Sequence, residues 1–165
     1  MSAPTASEVP YPIQPTFINV RRLHFVAHRP PSPNDRIEES TITIAQSSTP
    51  FNEQTRRVQI TLKADFGFDG QPLAKPPPFS VSVAITAEFV IGDTFPRDKI
   101  QLWIAKNAAY VIYPYLRERL YYITSQAGFP PIVLPLMQIP TIRIDAPAQP
   151  QEEQNRTVPG TRVNK

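Results

Sequence analysis

Two segments in the middle of the chain alternate between apolar and polar residues. A period of two over this length predicts half-buried strands that pack one face on a core and turn the other toward water. We predict that a long hairpin loop over residues 69–78 joins them. The apolar positions are Val58, Ile60, Leu62, Ala64, Phe66 and Phe68, then Phe79, Val81, Val83, Ile85, Ala87, Phe89 and Ile91.

Two weaker strands are predicted before this pair, over residues 16–27 and around residues 40–45. The first changes its phase of alternation at Arg21 and Arg22. A β-bulge there would bring both apolar pairs, Ile18 with Val20 and Leu23 with Phe25, onto one face. The alternative is a strand buried on both faces at different points, as an oligomer interface could provide.

After residue 91 the apolar period becomes helical. Thr94 is a suitable N-cap, Pro96 suits a first turn, and Gly128 is a suitable stop. Pro114 removes the hydrogen bond to the carbonyl of Tyr110 and should kink or split this helix. The predicted fold is α+β: a four-stranded antiparallel sheet with one long, proline-kinked helix packed on one face.

Composition sets the domain limits. The chain has 165 residues and 21 prolines, many of them near its two ends, so we predict a single domain with extended termini. The boundaries are a flexible arm at 1–15, the domain at 16–144 and a disordered tail at 145–165. Because neither a secretory signal nor a long enough apolar stretch is found, we expect a cytoplasmic protein without an integral membrane segment.

Charge and chemistry exclude several classes of function. The net charge is +3, and the basic residues are scattered, whereas nucleic-acid binders usually carry a denser basic stripe; we expect no nucleic-acid partner. Cysteine is absent, and the two histidines, His24 and His28, lie on a predicted strand and turn without a carboxylate to complete a metal site. With no nucleotide-binding or catalytic motif either, we expect no metal, no cofactor and no enzymatic activity.

The chain carries more apolar surface than a two-layer domain of this size needs. The helix is apolar on nearly all sides, and it is followed by Phe129, Ile132, Val133, Leu134, Leu136, Met137 and Ile139. We therefore expect the surplus to form oligomer contacts or an exposed binding groove.

One string in the helix carries a family resemblance. Tyr113-Pro114-Tyr115-Leu116-Arg117-Glu118, followed by Ser125, Gly128-Phe129-Pro130 and Leu134-Pro135-Leu136, resembles the helix and post-helix signature of SecB export chaperones. The resemblance covers roughly residues 16–137. It implies a homotetramer, a dimer of dimers with helices at the tetramer interface. It also implies long grooves that hold non-native polypeptides without ATP, and as partners unfolded preproteins and the SecA motor.

The chain departs from typical SecB proteins in two places. Typical members dock SecA through acidic residues on the first and fourth strands, where this chain has Arg22, Val26 and Ser82. Pro135, Pro140 and Pro147 disfavour the second C-terminal helix of typical members. Divergent SecB-like proteins that protect an aggregation-prone antitoxin also carry a Tyr-Pro-Tyr-x-Arg-Glu string, and this chain looks closer to that branch than to the exporters.

Our leading hypothesis is an ATP-independent holdase for export or for an antitoxin. The alternative is an assembly protein that uses the same apolar surface for one fixed partner. The residues predicted to bind client polypeptides are Phe25, Tyr113, Phe129, Ile132, Leu134 and Leu136. Those predicted at the oligomer interface are Ile18, Val20, Trp103, Ala108 and Tyr115.

Overall fold

A computed structural model describes residues 11–37, 42–68 and 77–137 of the chain. These residues form four strands, β1 (Ile13–Ala27), β2 (Thr43–Ser48), β3 (Arg57–Phe66) and β4 (Phe79–Ile91). A 3₁₀ turn (Arg97–Lys99) and two helices follow, α1 (Ile100–Lys106) and α2 (Ala108–Gln126). The predicted α+β fold, an antiparallel sheet with a bent helical layer on one face, is confirmed.

The sheet has the strand order β1-β4-β3-β2, with every neighbouring pair antiparallel. β4 lies in the centre, and its bounds match the predicted alternation. Its odd-numbered residues, with the even-numbered residues of β3, form the inner face, which is buried under the helices. The other, outer face carries the polar residues of the alternation, including Asp65 and Glu88.

The bulge predicted in the first strand is present. Val20 lies opposite Ile85, whereas Arg22 lies opposite Ala84, so Arg21 is an extra residue in β1. Because of this extra residue, Leu23 returns to the inner face opposite Val83. A second register shift lies between Pro15 and Phe17. β1 begins at Ile13, before the predicted start at residue 16.

The helical layer begins and breaks at other residues than predicted. The cap of the 3₁₀ turn is Pro96, without a side-chain hydrogen bond, so the prediction of Thr94 as the cap is wrong. The helix is split at Asn107, and Pro114 lies within α2. Pro114 is exposed. Because proline has no backbone N–H, the carbonyl of Tyr110 lacks its usual helix hydrogen bond from residue 114.

The predicted stop at Gly128 is confirmed. The amide of Phe129 donates to the carbonyl of Thr124 over 3.1 Å, and that of Gly128 to Ser125 over 3.0 Å. These two bonds form a Schellman motif, which needs a left-handed residue, and Gly128 has a φ of +81°. The motif turns the chain so that Phe129, Ile132 and Leu134 re-enter the core.

Several of the predicted boundaries lie partly or wholly outside the residues that the structure describes. β1 begins inside the segment assigned to the arm, while residues 1–10 and the predicted tail at 145–165 lie outside the described residues. So do most of the loop at 69–78 and the end of the predicted domain after residue 137. Within the described ranges, none of the helices combines the length and apolarity that crossing a membrane requires.

Gly128→Ala should lower the free energy of unfolding by about 1–2 kcal/mol, because a side chain is strained at positive φ. The new Cβ would also lie 3.2 Å from Cγ of Pro31. Urea denaturation measures the change. Ser125→Ala, at an exposed position of the same helix end, is the control and should stay within about 0.5 kcal/mol of wild type. Equal stability of the Gly128 variant and wild type would contradict this account of the helix end.

Candidate functional site

The inner face of β1 carries an apolar row that the helices leave uncovered. The row consists of Ile18, Val20, Leu23 and Phe25, opposite Ala87, Ile85, Val83 and Val81 of β4. Helix α2 packs on β4 and β3, and Val20 and Leu23 remain 42% and 53% exposed. We call these four residues the edge row. Exposed apolar surface adjoining a core in this way is typical of interaction sites.

The edge row belongs to a strand with a free side. β1 has 15 residues and pairs with β4 on one side only among the described residues. At about 3.4 Å per residue, such a strand presents roughly 50 Å of backbone donors and acceptors. A long, apolar edge strand is a template on which another chain can add a strand.

Aromatic rings close one end of the edge row. Phe25 stacks on Phe79 with ring centroids 5.0 Å apart, and its centroid lies 5.9 Å from that of Phe129. Phe79 also contacts Phe129 at 4.8 Å and Phe66 at 5.1 Å. Of these four rings only Phe25 is partly exposed. The cluster therefore offers one accessible ring on a rigid aromatic base.

Two hydroxyl groups hold the post-helix segment in place. The Thr124 hydroxyl is buried, donates to the carbonyl of Leu120 over 2.7 Å and accepts the Ile132 amide over 3.0 Å. The Tyr113 hydroxyl donates to the carbonyl of Pro135 over 2.7 Å. Between these two attachments Ile132 and Leu134 are buried and Val133 is exposed, so the segment covers the core with one side and presents apolar groups on the other.

A proline-rich loop after β1 supports this region. The Arg29 guanidinium forms an ion pair with Asp35, which is 5% exposed, and the Ser32 amide donates to the same carboxylate over 2.8 Å. The hydrogen bond from Arg29, then that from Ser32, lowers the pKa of Asp35 below its ordinary value of 3.8. The loop places Pro31 against Gly128 and so connects the end of β1 to the helix end.

The residues predicted to bind clients occupy two kinds of position. Leu136 is 84% exposed and Phe25 is partly exposed, so both can contact another molecule in this conformation. The other four, Tyr113, Phe129, Ile132 and Leu134, are buried in the protomer's own core. Their contact with a client stays a prediction, and it would require the post-helix segment to move.

The residues predicted at an oligomer interface are also of two kinds, accessible and buried. Ile18, Val20 and Tyr115 lie wholly or partly at the surface. Trp103 packs edge-on against Phe89 with centroids 5.1 Å apart, and Ala108 is fully buried. The protomer therefore already uses Trp103 and Ala108 within its core, while the first three are accessible to a second copy.

Some exposed apolar residues were missing from both predicted sets. They are Leu23, Val26, Leu102, Val111, Tyr121, Tyr122, Val133 and Met137. The buried stripe of α2 runs from Ala108 through Ile112, Leu116 and Leu120, with Tyr113 beside it, and the apolar residues on the opposite side of the helix face outward. Residues spaced by four from Ala108 are buried, so this spacing could have identified Tyr121 and Tyr122, which fall outside it, as exposed residues from the sequence.

The pair of polar side chains that looks most like a catalytic one, among the residues that the structure describes, is His28 with Ser80. Nε2 of His28 lies 2.7 Å from the Ser80 hydroxyl, which itself donates to the carbonyl of Gly67. With the serine proton donated to the Gly67 carbonyl, Nε2 of His28 is the donor in this pair. Among residues 11–37, 42–68 and 77–137, no group of three His, Cys, Asp or Glu residues could hold a metal ion.

Comparison with known proteins identifies the fold by structure. No family model and no curated protein matches the sequence. The Mycobacterium tuberculosis SecB-like chaperone Rv1957, solved in complex with a ChAD peptide from the HigA1 antitoxin, is similar with a TM-score of 0.60 at 17% identity. The match covers 78% of this chain and 93% of that one. A Streptococcus agalactiae protein of unknown function gives a TM-score of 0.40 at 14% identity, covering 75% and 97%. The chain thus has a SecB-like fold.

Asp35→Asn should destabilise the protein near neutral pH, because the amide cannot replace the ion pair with Arg29. A lowered folded-state pKa contributes stability above the ordinary value of 3.8, and that contribution disappears as the pH falls through the lowered pKa. The difference from wild type should therefore shrink below that value. Urea midpoints across a pH series measure it, with Asp98→Asn, at an exposed position, as the control. A difference independent of pH would contradict the role of the ion pair.

Proposed function

We propose that this protein is an ATP-independent holdase that binds extended apolar segments of unfolded polypeptides and keeps them from aggregating. The main observation in support of this proposal is the edge row, on the outermost strand of the sheet. It joins accessible apolar side chains to a backbone edge that no other strand of the described residues pairs with. An unfolded chain offers both complements, since its backbone groups lack partners and its apolar side chains are exposed.

The geometry suits recognition without sequence specificity. Backbone hydrogen bonds along an edge strand supply affinity for any extended chain, and the side chains beside it select only for apolar character. Fully burying one leucine or phenylalanine is worth about 1.5–3 kcal/mol. Leu23 and Phe25 are already partly buried, so each gains only part of this on binding, and together they hold an apolar segment reversibly. Phe25, on its aromatic base, provides an anchor for a bulky side chain at the end of the row.

A holdase of this type needs no chemical step. Its effect is to lower the concentration of free unfolded chain, which requires only a reversible binding equilibrium. We therefore propose that the protein has no enzymatic activity and uses no metal or cofactor. We also propose that it acts in the cytoplasm, where its unfolded clients are made. Of the two client classes, an antitoxin segment is favoured over exported preproteins, because the structurally similar mycobacterial chaperone was solved with an antitoxin peptide.

Docking of SecA is not part of the proposal. On the outer face, Arg22 and Val26 are exposed and Ser82 is buried, and none of them carries a negative charge. SecA would therefore lack the carboxylates on which it docks in typical SecB proteins.

We also propose that the protein is a homotetramer. A long edge strand is an aggregation hazard unless something covers it. Pairing of the half of β1 before the bulge, with Ile18 and Val20, against a second copy is a closed, symmetric solution, and it leaves the half with Leu23 and Phe25 to the client. Exposed tyrosines on α2, Tyr115, Tyr121 and Tyr122, supply a second apolar surface through which two such dimers can associate.

The purified protein, at a stoichiometric amount, should suppress the aggregation of a refolding client measured by light scattering. Leu23→Ser should raise the amount needed about fivefold, because the client loses a contact worth about 1 kcal/mol. The matched control is Leu102→Ser, which removes a comparably exposed leucine from α1 and should behave as wild type.

Two outcomes would contradict the proposal in different ways. Wild-type protein that leaves client aggregation unchanged is not a holdase. Protein that binds one folded partner and none of several unfolded chains is an assembly protein, the alternative drawn from the sequence. Each result is interpreted with the oligomeric mass of the same sample, so that loss of assembly is distinguished from loss of client binding.

Light scattering of the purified protein at micromolar concentration should give four times the chain mass of 18.6 kDa. Val20→Lys should lower this mass, since a charge in the edge row opposes burial against a second copy. Circular dichroism of the variant checks that the subunit remains folded. A stable wild-type monomer would refute the tetramer.

A further inference from the structure

The outer face of the sheet has a floor of small residues. One row crosses all four strands as Asn19, Thr86, Thr61 and Ser47, and the next as Arg22, Ala84, Lys63 and Ala45. No helix of the described part covers this face, because the helices pack on the inner one. The side chains of the first row are small and polar, and a cavity lies beside them.

The bulge in β1 places two arginines on this face. Regular alternation sends neighbouring side chains to opposite faces, but Arg21 is the extra residue of the bulge. Arg22 faces outward opposite Ala84, and Arg21 lines an outer-face cavity together with Thr61 and Thr86. Two adjacent cations on one side repel each other, so an anion bound between them would be favoured.

The carboxylates nearest these arginines already have partners. Glu88 accepts hydrogen bonds from Thr16, Gln59 and Arg57, which lower the pKa of its carboxyl below the ordinary value. Asp65 pairs with Lys63 over 2.6 Å. Within the described ranges neither Arg21 nor Arg22 has an ion pair, and both side chains are exposed. The local positive charge is therefore not neutralised by this part of the chain.

The cavity beside Arg21 contains hydroxyl groups that suit the same kind of ligand. It has a volume of about 330 Å³ and is lined by Arg21, Ser47, Ser48, Gln59, Thr61 and Thr86. The hydroxyls of Thr61 and Thr86 lie 2.6 Å apart and share one hydrogen bond. This bond uses one of their two protons, so the other can donate to a ligand. An arginine beside a free hydroxyl donor is well suited to a carboxylate.

We propose that the outer face of the sheet is a second binding surface, which takes an extended acidic segment of a partner protein. Arg21 and Arg22 bind its carboxylates, and the row of small polar residues from Thr86 to Ser47 receives its backbone. The exposed edge β2 continues this floor with the side chains of Ala45 and Ser47.

A peptide fits this face better than a nucleic acid does. A phosphate backbone carries regularly spaced charge and needs a continuous basic track, whereas here Glu88 and Asp65 flank the arginines along the strands. Single strands also need aromatic side chains on which successive bases stack. On this face Phe17 and His24 lie toward the two ends of β1, and the two rows between them, which hold Asn19 and Arg22, contain no aromatic residue. A peptide can place its acidic residues against the arginines and neutral ones elsewhere.

This surface is separate from the edge row, since the two lie on opposite faces of the sheet. A client could occupy the inner side of β1 while an acidic partner occupies the outer side. The inference therefore does not depend on holdase activity, and the two can fail independently.

The experiment measures binding of fluorescent peptides to the full chain by anisotropy. The probe alternates glutamate and serine over about ten residues, enough to cross four strands at about 3.3 Å per residue. A glutamine-serine peptide and a single-stranded RNA of equal charge are the comparisons. We expect the acidic peptide to bind most tightly and to weaken with added salt, as exposed ion pairs do.

The double variant Arg21→Ala/Arg22→Ala should weaken the acidic peptide about tenfold, the size of two exposed charge-assisted contacts. Arg21→Lys/Arg22→Lys should recover part of the loss. The control Arg97→Ala/Lys106→Ala removes two exposed cations from the helical layer and should leave binding unchanged. Suppression of client aggregation by the alanine variant should also be unchanged. Equal binding of the acidic and glutamine peptides, equal loss in the control, or tighter binding of the RNA would overturn the proposal.

Discussion

The bulge in β1 is the constraint on which both candidate surfaces depend. A strand without it would place Leu23 and Phe25 on the face opposite to Ile18 and Val20, because side chains alternate strictly. With Arg21 as the extra residue, all four apolar side chains share the inner face, and the two arginines share the outer one. One inserted residue thus sorts a mixed sequence into an apolar side and a cationic side.

The second determinant is how far the helical layer reaches. α2 packs on β4 and β3, which leaves Val20 and Leu23 exposed on the inner face of β1. The Schellman turn at Gly128 then returns the chain into the core, where Thr124 and Tyr113 hold it. The helical layer is therefore completed by an extended segment, and the apolar surface that remains exposed lies on the edge strand, where a second chain can reach it.

Much of the fold was predictable because its signals are local. The alternation of β3 and β4, the bulge and the stop at Gly128 each depend on residues close together in the chain. The prediction of Thr94 as the cap was wrong because a cap depends on backbone geometry around Pro96, which propensity alone does not specify. The split at Asn107 was missed for a similar reason, since Pro114 was the stronger local signal.

The candidate site shows the limit of the sequence most clearly. The sequence by itself determined that the chain has surplus apolar residues and where the alternation changes phase, since both are properties of residue order. Only the tertiary structure decided which of these residues are buried and which remain accessible. Ile132, Leu134, Trp103 and Ala108 are buried in the core, whereas Val20 and Leu23 are accessible. The physical reason is that burial depends on which distant segment packs over a residue, and no local pattern specifies that segment.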